Sequence, residues 1–384
     1  MKILYVATVG EFMPFFEKII YELIQKGNTV DIAANTDLSS VSDSYSVWGC
    51  KVYNLSCTRS PFNIGTMKCI TEIHSLVKKN KYDIVHCHTP IASFCARFAC
   101  APFRKNGLKV IYTAHGFHFY KGAPIKNWAI YGIAERLCAH YTDLLITINK
   151  EDYEWAKKNL RRNEVVYIPG VGIDYGKFTN TVIDRHKKRE EIEINDENFL
   201  LLSVGELNDN KNHQVVLRAL SHLDNRIHYA IAGNGENEEK LNKLASMLNI
   251  SERFHLLGYR HDVEELYKAA DVFVLPSIRE GLNVSIMEAM ASGLPCIVTR
   301  IRGNVDMVDE QGGFLCNPFK VEEFEDSVQR LENGLLPNAG EYNRKKAAMF
   351  SSEKINREII RLYSTVLKER GIISDEEENS SIHS

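Results

Sequence analysis

The sequence predicts an α/β protein of two doubly wound, Rossmann-like domains facing a cleft. Three observations lead there. The chain has 384 residues, beyond the size at which one hydrophobic core usually stops growing. Continuous apolar, β-rich runs alternate with amphipathic helical patterns along nearly its whole length, as parallel strands joined by right-handed helical crossovers do. That alternation breaks once, at a glycine-rich stretch and a charged helix near residue 175, and then restarts.

In the first series, "KILYVAT", "TVDIAA", "YDIVHCH", "KVIYTAH", "DLLITI" and "VVYIPG" read as buried strands. Between the first two lies "PFFEKIIYELIQKG", an amphipathic helix closed by Gly27 as its C-cap. "IPGVGIDYGKF" and "DRHKKREEIEI" then mark a boundary, giving domains at 1–175 and 176–350. The second series runs through "FLLLSVGEL", "IHYAIAG", "RFHLLG", "DVFVLPS", "PCIVT" and "GGFLC". Helical patterns outlast this sheet, and the segment 351–370 is expected to cross back onto the first domain. The acidic, polar end, 371–384, cannot bury a core and is expected to be disordered.

A hydrophobic content of 44% with 25% charged residues suits a soluble globular chain. No apolar run approaches the about 18 residues of a membrane span. The opening "MKILYVATVGEF" reads as a first strand rather than a signal peptide. Nine cysteines without a CxxC pair suit reduced thiols in the cytoplasm. Net charge is −3 but uneven: residues 1–170 carry 21 Lys+Arg against 14 Asp+Glu, or +7, which leaves −10 for the rest. The first half is therefore suited to an anionic partner, a sheath of solvated lysines being the plainer reading. Zinc-finger spacings and paired RNP-like aromatic strands are missing, so no nucleic-acid partner is expected.

Ligands of doubly wound sheets bind beyond the carboxyl ends of the strands. After "DVFVLPS" comes the loop "IREGLN", then a helix from about Val284 whose first amides and dipole suit a phosphate, with Gly281 allowing close backbone approach. Glu288 lies about 6 Å along the helix axis from Val284 at 1.5 Å per residue. Its two oxygens match a vicinal diol such as a ribose, and Glu280 could reach a sugar beyond the phosphate. An exposed helix glutamate and a loop charge are the alternative.

"EGLNVSIMEAMASGLPCIVT" resembles the E-x7-E signature of glycosyltransferase family 4, retaining enzymes of the GT-B fold, and the likeness extends back through "LGYRHDVEELYKAADVFVLPS". The resemblance implies that Glu280 contacts the donor hexose, that Glu288 holds the nucleotide ribose, and that the amides of Asn283 and Val284 face the diphosphate. Gly281 and Leu282 share that donor-binding loop, and Arg260 and Gly205 fall in matching donor-side segments. In "SVGELNDNKNHQVVLRAL" Lys211 matches the family's phosphate-binding lysine, while Glu206 stands where the family usually has arginine. A carboxylate there repels a diphosphate, so Glu206 must turn away or another donor must compensate.

In the first domain the resemblance gives His115, in "TAHGFHF", the place of the active-site histidine. His118 and His88, the latter in "HCHTP", fall on the acceptor side, and His86 should point into the sheet by alternation. Gly10 stands alone where the family's first loop is often double-glycine. The four histidines have no HExxH helix or flanking carboxylates, and the chain has no Asp-x-Asp, so no metal and no cofactor are expected. "RFACAPFRKNG" (Arg97, Phe98, Phe103, Arg104, Lys105) and "TRSPF" (Arg59, Phe62) suit an interfacial patch on an anionic membrane, core packing with surface charge being the alternative.

Together these imply a retaining glycosyltransferase, cytoplasmic and peripheral at the inner membrane face. It would move a hexose or N-acetylhexosamine from a UDP-sugar to a polyprenyl-diphosphate-linked glycan in capsule or exopolysaccharide synthesis. A GT-B nucleotide-sugar epimerase and a non-catalytic nucleotide-sugar-binding subunit are the alternatives.

Overall fold

The computed structural model describes residues 1–58, 63–160 and 164–368. It divides into two units: Met1–Gly172 with the chain from Ser352 onward, and Ile173–Ser351. The tail expected to be disordered lies outside the described residues.

The first unit holds a seven-stranded parallel sheet: β1 (Lys2–Val9), β2 (Thr29–Asn35), β3 (Val52–Asn54), β4 (Ile84–His88), β5 (Lys109–Ala114), β6 (Leu144–Thr147) and β7 (Glu164–Tyr167), in the order β3-β2-β1-β4-β5-β6-β7. Its central strands read as unbroken apolar runs because both faces are covered. Leu4, Val6, Val85 and Val110 face one core, and Ile3, Tyr5, Ile84 and Ile111 the other, following the two-residue period of a strand. The first face lies under α2 (Ile64–Asn80) and α3 (Pro90–Cys100), which contribute Ile73, Val77, Ala92 and Ala96. The opposite face receives Ile19, Ile20 and Leu23 from α1 (Glu17–Gln25). A short helix, α4 (Ile133–Ala139), follows β5.

Two expectations change here. Cys57 and Cys69 are joined by a disulfide, where nine reduced thiols were expected. Ser56, after β3, is bonded to Glu72 of α2 through its amide and hydroxyl, and the Cα atoms of Cys57 and Cys69 stand 5.4 Å apart, a proximity that a separation of 12 residues does not advertise. Two arginines expected in an interfacial patch are also engaged within the fold. Arg97 is buried, bidentate with Glu135 at 2.7 and 3.1 Å and stacked over Tyr112. Arg104 is held by Asp143 at 3.0 and 2.8 Å and by the His140 carbonyl. These arginines look inward because each has a carboxylate partner from another element, which a reading of the local stretch could not see. Arg59 and Phe62 lie outside the described residues.

The second unit holds a six-stranded parallel sheet: β8 (Phe199–Val204), β9 (Ile227–Ala232), β10 (Phe254–Leu256), β11 (Val272–Leu275), β12 (Cys296–Thr299) and β13 (Gly313–Cys316), ordered β10-β9-β8-β11-β12-β13. Between β8 and β9 runs α5 (His213–Leu220), and between β11 and β12 runs α6 (Val284–Ser292). Gly293, in the left-handed conformation at φ +88°, ends α6, as a C-cap glycine does.

The last helix, α7 (Ser352–Lys368), belongs to the first unit. Ile355, Leu362, Tyr363, Val366 and Leu367 pack beside α1 on the Ile3–Tyr5 face. The Tyr363 hydroxyl meets Tyr5 Oη at 2.7 Å and His86 Nδ1 at 2.6 Å, so α7 is tied to the centre of that sheet. Both sheets reverse their winding once, between β1 and β4 and between β8 and β11. The carboxyl ends of those strand pairs are where a ligand crevice forms.

Candidate active site

At the β1/β4 switch point, Thr8 and Thr89 join the two strand ends. Thr8 Oγ1 and Thr89 Oγ1 are 2.7 Å apart, and the Thr8 amide donates to Thr89 Oγ1 at 3.0 Å. Thr89 takes φ +65°, a strained conformation for a β-branched residue, of the kind that concentrates at functional sites. Just before it, His88 is buried with its Nδ1 3.1 Å from His115 Nε2 at the end of β5. His86 sits one step deeper, with Nδ1 on Tyr363 Oη and Nε2 on Thr113 Oγ1 at 2.8 Å. Burial keeps these imidazoles neutral: it pushes His115 down to about 4 and His86 to about 3, and His88 well below its ordinary value.

His118 is exposed, its ring 4.8 Å from Tyr131 and its carbonyl accepting from Asn127. Gly10 has a packing explanation of its own: a Cβ there would sit 2.3 Å from the Ser39 carbonyl oxygen. Its missing side chain makes room for the chain after β2.

At the β8/β11 switch point, Lys211 Nζ lies 2.8 Å from Glu280 Oε1, the side chains only 14% and 12% exposed. Two asparagines of "NDNKNH" bring them together. Asn210 accepts the Ile278 amide on its carbonyl at 2.8 Å and donates from Nδ2 to the Arg279 carbonyl at 3.0 Å. Asn212 donates to the Pro276 and Pro318 carbonyls. The loop before α5 is thus laced to the loop before α6. Gly205 backs this arrangement, its Cβ position 3.4 Å from Lys211 Cε.

Asn283 caps α6, its side chain accepting the Ser285 amide at 2.9 Å. Glu288, one turn in, accepts the Tyr267 hydroxyl at 3.0 Å. Desolvation pushes its carboxyl up to about 7, against the lowering effects of Tyr267 and Lys177. Leu282 and Val284 pack on the second unit's core. A Cβ on Gly303 would fall 2.0 Å from the Gly281 carbonyl oxygen, so the loop after β12 lies directly against the "EGLN" loop.

Glu206 turns to solvent and accepts from Asn208 Nδ2 at 2.7 Å. Arg260 is engaged elsewhere, bidentate on Asp262 at 2.8 and 2.6 Å and paired with Glu191. The structure therefore gathers His88 with His115, and Lys211 with Glu280, and leaves His118 and Arg260 in other surroundings. Sequence reasoning missed Thr89, Asn210, Asn212 and Tyr267. Only the asparagines left a trace, as turn-forming residues flanking Lys211.

Two family models match this chain, glycosyl transferase 4-like over residues 2–149 and glycosyl transferases group 1 over residues 184–346. The chain is 35% identical over 378 residues to the putative glycosyltransferase EpsD of Bacillus subtilis, covering 95% of this chain and 97% of that one. It belongs to glycosyltransferase family 4. A second relative, the UDP-Gal:alpha-D-GlcNAc-diphosphoundecaprenol alpha-1,3-galactosyltransferase of Escherichia coli, is 34% identical over 286 residues, 72% of this chain and 73% of that one. Among solved structures, Anabaena Alr3699/HepE in complex with UDP superposes with a TM-score of 0.79 at 18% identity, covering 95% of this chain and all of that one. As a family 4 glycosyltransferase the protein is a nucleotide-sugar-dependent transferase. The relatives named here are transferases, which does not favour the epimerase reading, and no helix among the described residues is long and apolar enough to cross a membrane.

Proposed function

We propose that this glycosyltransferase moves a hexose or N-acetylhexosamine, with retention, from a UDP-sugar to a polyprenyl-diphosphate-linked glycan in surface polysaccharide assembly. One observation carries the reading: Lys211 and Glu280 form a shielded pair beside a helix N-terminus that also carries Glu288. Lys211 and the first amides of α6 suit a diphosphate, Glu288 a ribose diol, and Glu280 a sugar hydroxyl. The E. coli relative supports donor and acceptor class, its name giving a UDP-sugar and a diphosphoundecaprenol-linked sugar.

On this reading the bond from the sugar's anomeric carbon to the UDP oxygen breaks as a bond to the acceptor oxygen forms on the same face. The acceptor's proton passes to the leaving phosphate, and Lys211 and the α6 amides stabilise the developing charge. Purified protein is expected to hydrolyse its UDP-sugar slowly, read by mass spectrometry across a UDP-sugar panel. Failure with every UDP-sugar would overturn the donor class.

We propose further that lysine and helix dipole do the work a metal ion would otherwise do. Transfer is expected to persist in excess EDTA. Complete loss restored by Mg²⁺ or Mn²⁺ would show the opposite.

A peripheral membrane position is part of the proposal, with a different set of residues from those the sequence suggested. Ile64 and Met67 on α2, and Ile125, Ile130, Ile133 and Leu137 at and before α4, are exposed apolar side chains of the first unit. A cavity of about 210 Å³ joins these segments, lined by Thr66 of α2 with Ile91, Phe94, Ile130 and Tyr131 and by the Arg97–Glu135 pair. The exposed Lys68, Lys126 and Arg136 stand on the same segments, so the surface suits an anionic bilayer. Replacing Ile130 and Ile133 together by Asp is expected to reduce co-sedimentation with anionic liposomes several-fold without changing UDP affinity. Unchanged sedimentation would remove this face from the membrane.

A further inference from the structure

The His88–His115 contact has a direction, and the surroundings of His88 settle it. Both rings are neutral near pH 7, because burial lowers both, so across the 3.1 Å contact one nitrogen donates and the other accepts. The other nitrogen of His88, Nε2, is buried and has no hydrogen-bond partner among the described residues. The ring is stacked on Phe16 at 4.0 Å and on Tyr5 at 5.5 Å. A proton on Nε2 would therefore be an orphaned donor, left with the full desolvation penalty of an unmade hydrogen bond. Orphaned buried donors are rarer in proteins than under-satisfied acceptors. With its proton on Nδ1, His88 leaves only an unprotonated nitrogen at the unpartnered Nε2.

We propose that His88 is a positioning residue that holds His115 in one tautomer: His88 donates its Nδ1–H to the Nε2 lone pair of His115, which then carries its own proton on Nδ1. His115 thus presents a neutral N–H donor to whatever faces its Nδ1, and not a basic lone pair. The proposal rests on the reading, implied by the family resemblance, that His115 is the active-site histidine near the donor sugar. There it makes His115 a hydrogen-bond donor to the transferring sugar, which fits a reaction whose proton leaves on phosphate.

The strain at Thr89 fits the same role. Thr89 Oγ1 donates to the His88 carbonyl and accepts from Thr8 Oγ1, which in turn accepts the Ala92 amide at 3.4 Å. Those bonds hold the end of β4 in a backbone conformation that threonine would not otherwise take. The His88 main chain is fixed by Thr89 and its ring by Phe16 and Tyr5. The remaining degree of freedom, the proton, is set by the lack of an acceptor at Nε2 among the described residues.

Two-bond ¹H–¹⁵N spectra of histidine-labelled protein at pH 7 read the tautomer directly. His115 is expected to show a protonated Nδ1 and an unprotonated Nε2; the reverse would overturn the proposal. His88→Phe keeps the aromatic stack and removes the donor. It should release His115 from that tautomer and lower kcat roughly 10- to 100-fold, at or below the 10²–10³ typical of deleting a transition-state hydrogen-bond donor outright. KM for the donor should stay within about twofold. His88→Asn places an amide N–H near the position of Nδ1 and should restore the tautomer and most of kcat. A changed tautomer in His88→Phe with undiminished kcat would refute the positioning role. His115→Ala separates the two levels: retained turnover there would remove His115 from the reaction, while the wild-type spectrum would still decide the tautomer.

Discussion

Glu288→Gln is expected to weaken uridine and UDP binding by about 10²-fold and, at the same time, to stabilise the ligand-free protein above pH 7. Both effects come from one carboxyl group. Two charge-assisted hydrogen bonds to a ribose diol contribute about 1.5–3 kcal/mol each, and a neutral amide with one acceptor oxygen loses most of that, about 2.7 kcal/mol for a hundredfold change. In the ligand-free protein the same carboxyl is desolvated, and its pKa rises from 4.5 to about 7. The unfolded chain therefore ionises first. The group's contribution to stability declines as pH climbs from about 4.5 toward 7, and above that the buried carboxylate is a fixed cost of at most about 3 kcal/mol, which Gln removes. Wild-type affinity for uridine, which has no phosphate to titrate, should fall about tenfold between pH 8 and pH 6 because the diol needs the anion. Glu288→Gln should lack that dependence. Calorimetry with uridine at the two pH values, beside thermal unfolding of both proteins, measures all of this. A variant with unchanged uridine affinity would free Glu288 from the ribose.

Glu280→Ala is expected to lower turnover by roughly 10² to 10³-fold, while UDP affinity is kept or improved. The reason is the 2.8 Å contact with Lys211. In the ligand-free protein the lysine already has an anionic partner, and an incoming diphosphate must share it. Deleting Glu280 removes the competitor and a repulsive charge, so the product nucleotide should bind at least as well. What is lost, on the proposed reading, is the carboxylate that meets the sugar during transfer. Lys211→Ala should behave in the opposite sense, losing UDP affinity together with turnover. Calorimetry with UDP on both variants, set against their transfer rates, distinguishes the roles. If both lose UDP equally, the division between sugar carboxylate and phosphate cation is wrong.

Much of this architecture was legible because it is periodic. The unbroken apolar runs of β1, β4, β5, β8 and β11 report burial on both faces, and the α1 pattern reports burial on one. Candidate residues were legible where they end a strand or lie in the segment that follows one: His88 at the end of β4, His115 after β5, Lys211 after β8, Glu280 and Glu288 after β11. Their positions come from local order along the chain, because the carboxyl ends of parallel strands share one edge.

Pairings across elements were not legible, and they changed the chemistry. Arg97 looked like an exposed membrane contact until Glu135, 38 residues away, took it into the core. Lys211 and Glu280 were two separate ligands on paper, and Asn210 and Asn212 make them one ion pair. Cys57 and Cys69 became a disulfide where Ser56 and Glu72 tie the chain after β3 to α2. By itself the sequence determined the two α/β domains, the family, and the edge of each sheet where chemistry belongs, because periodicity and strand ends are local properties. Which carboxylate meets which cation, which histidine holds the other, and which apolar side chains stay outside were decided only by the tertiary structure. A charge's partner and a ring's proton depend on distances of about 3 Å between segments far apart in sequence, and nothing in the local pattern encodes them.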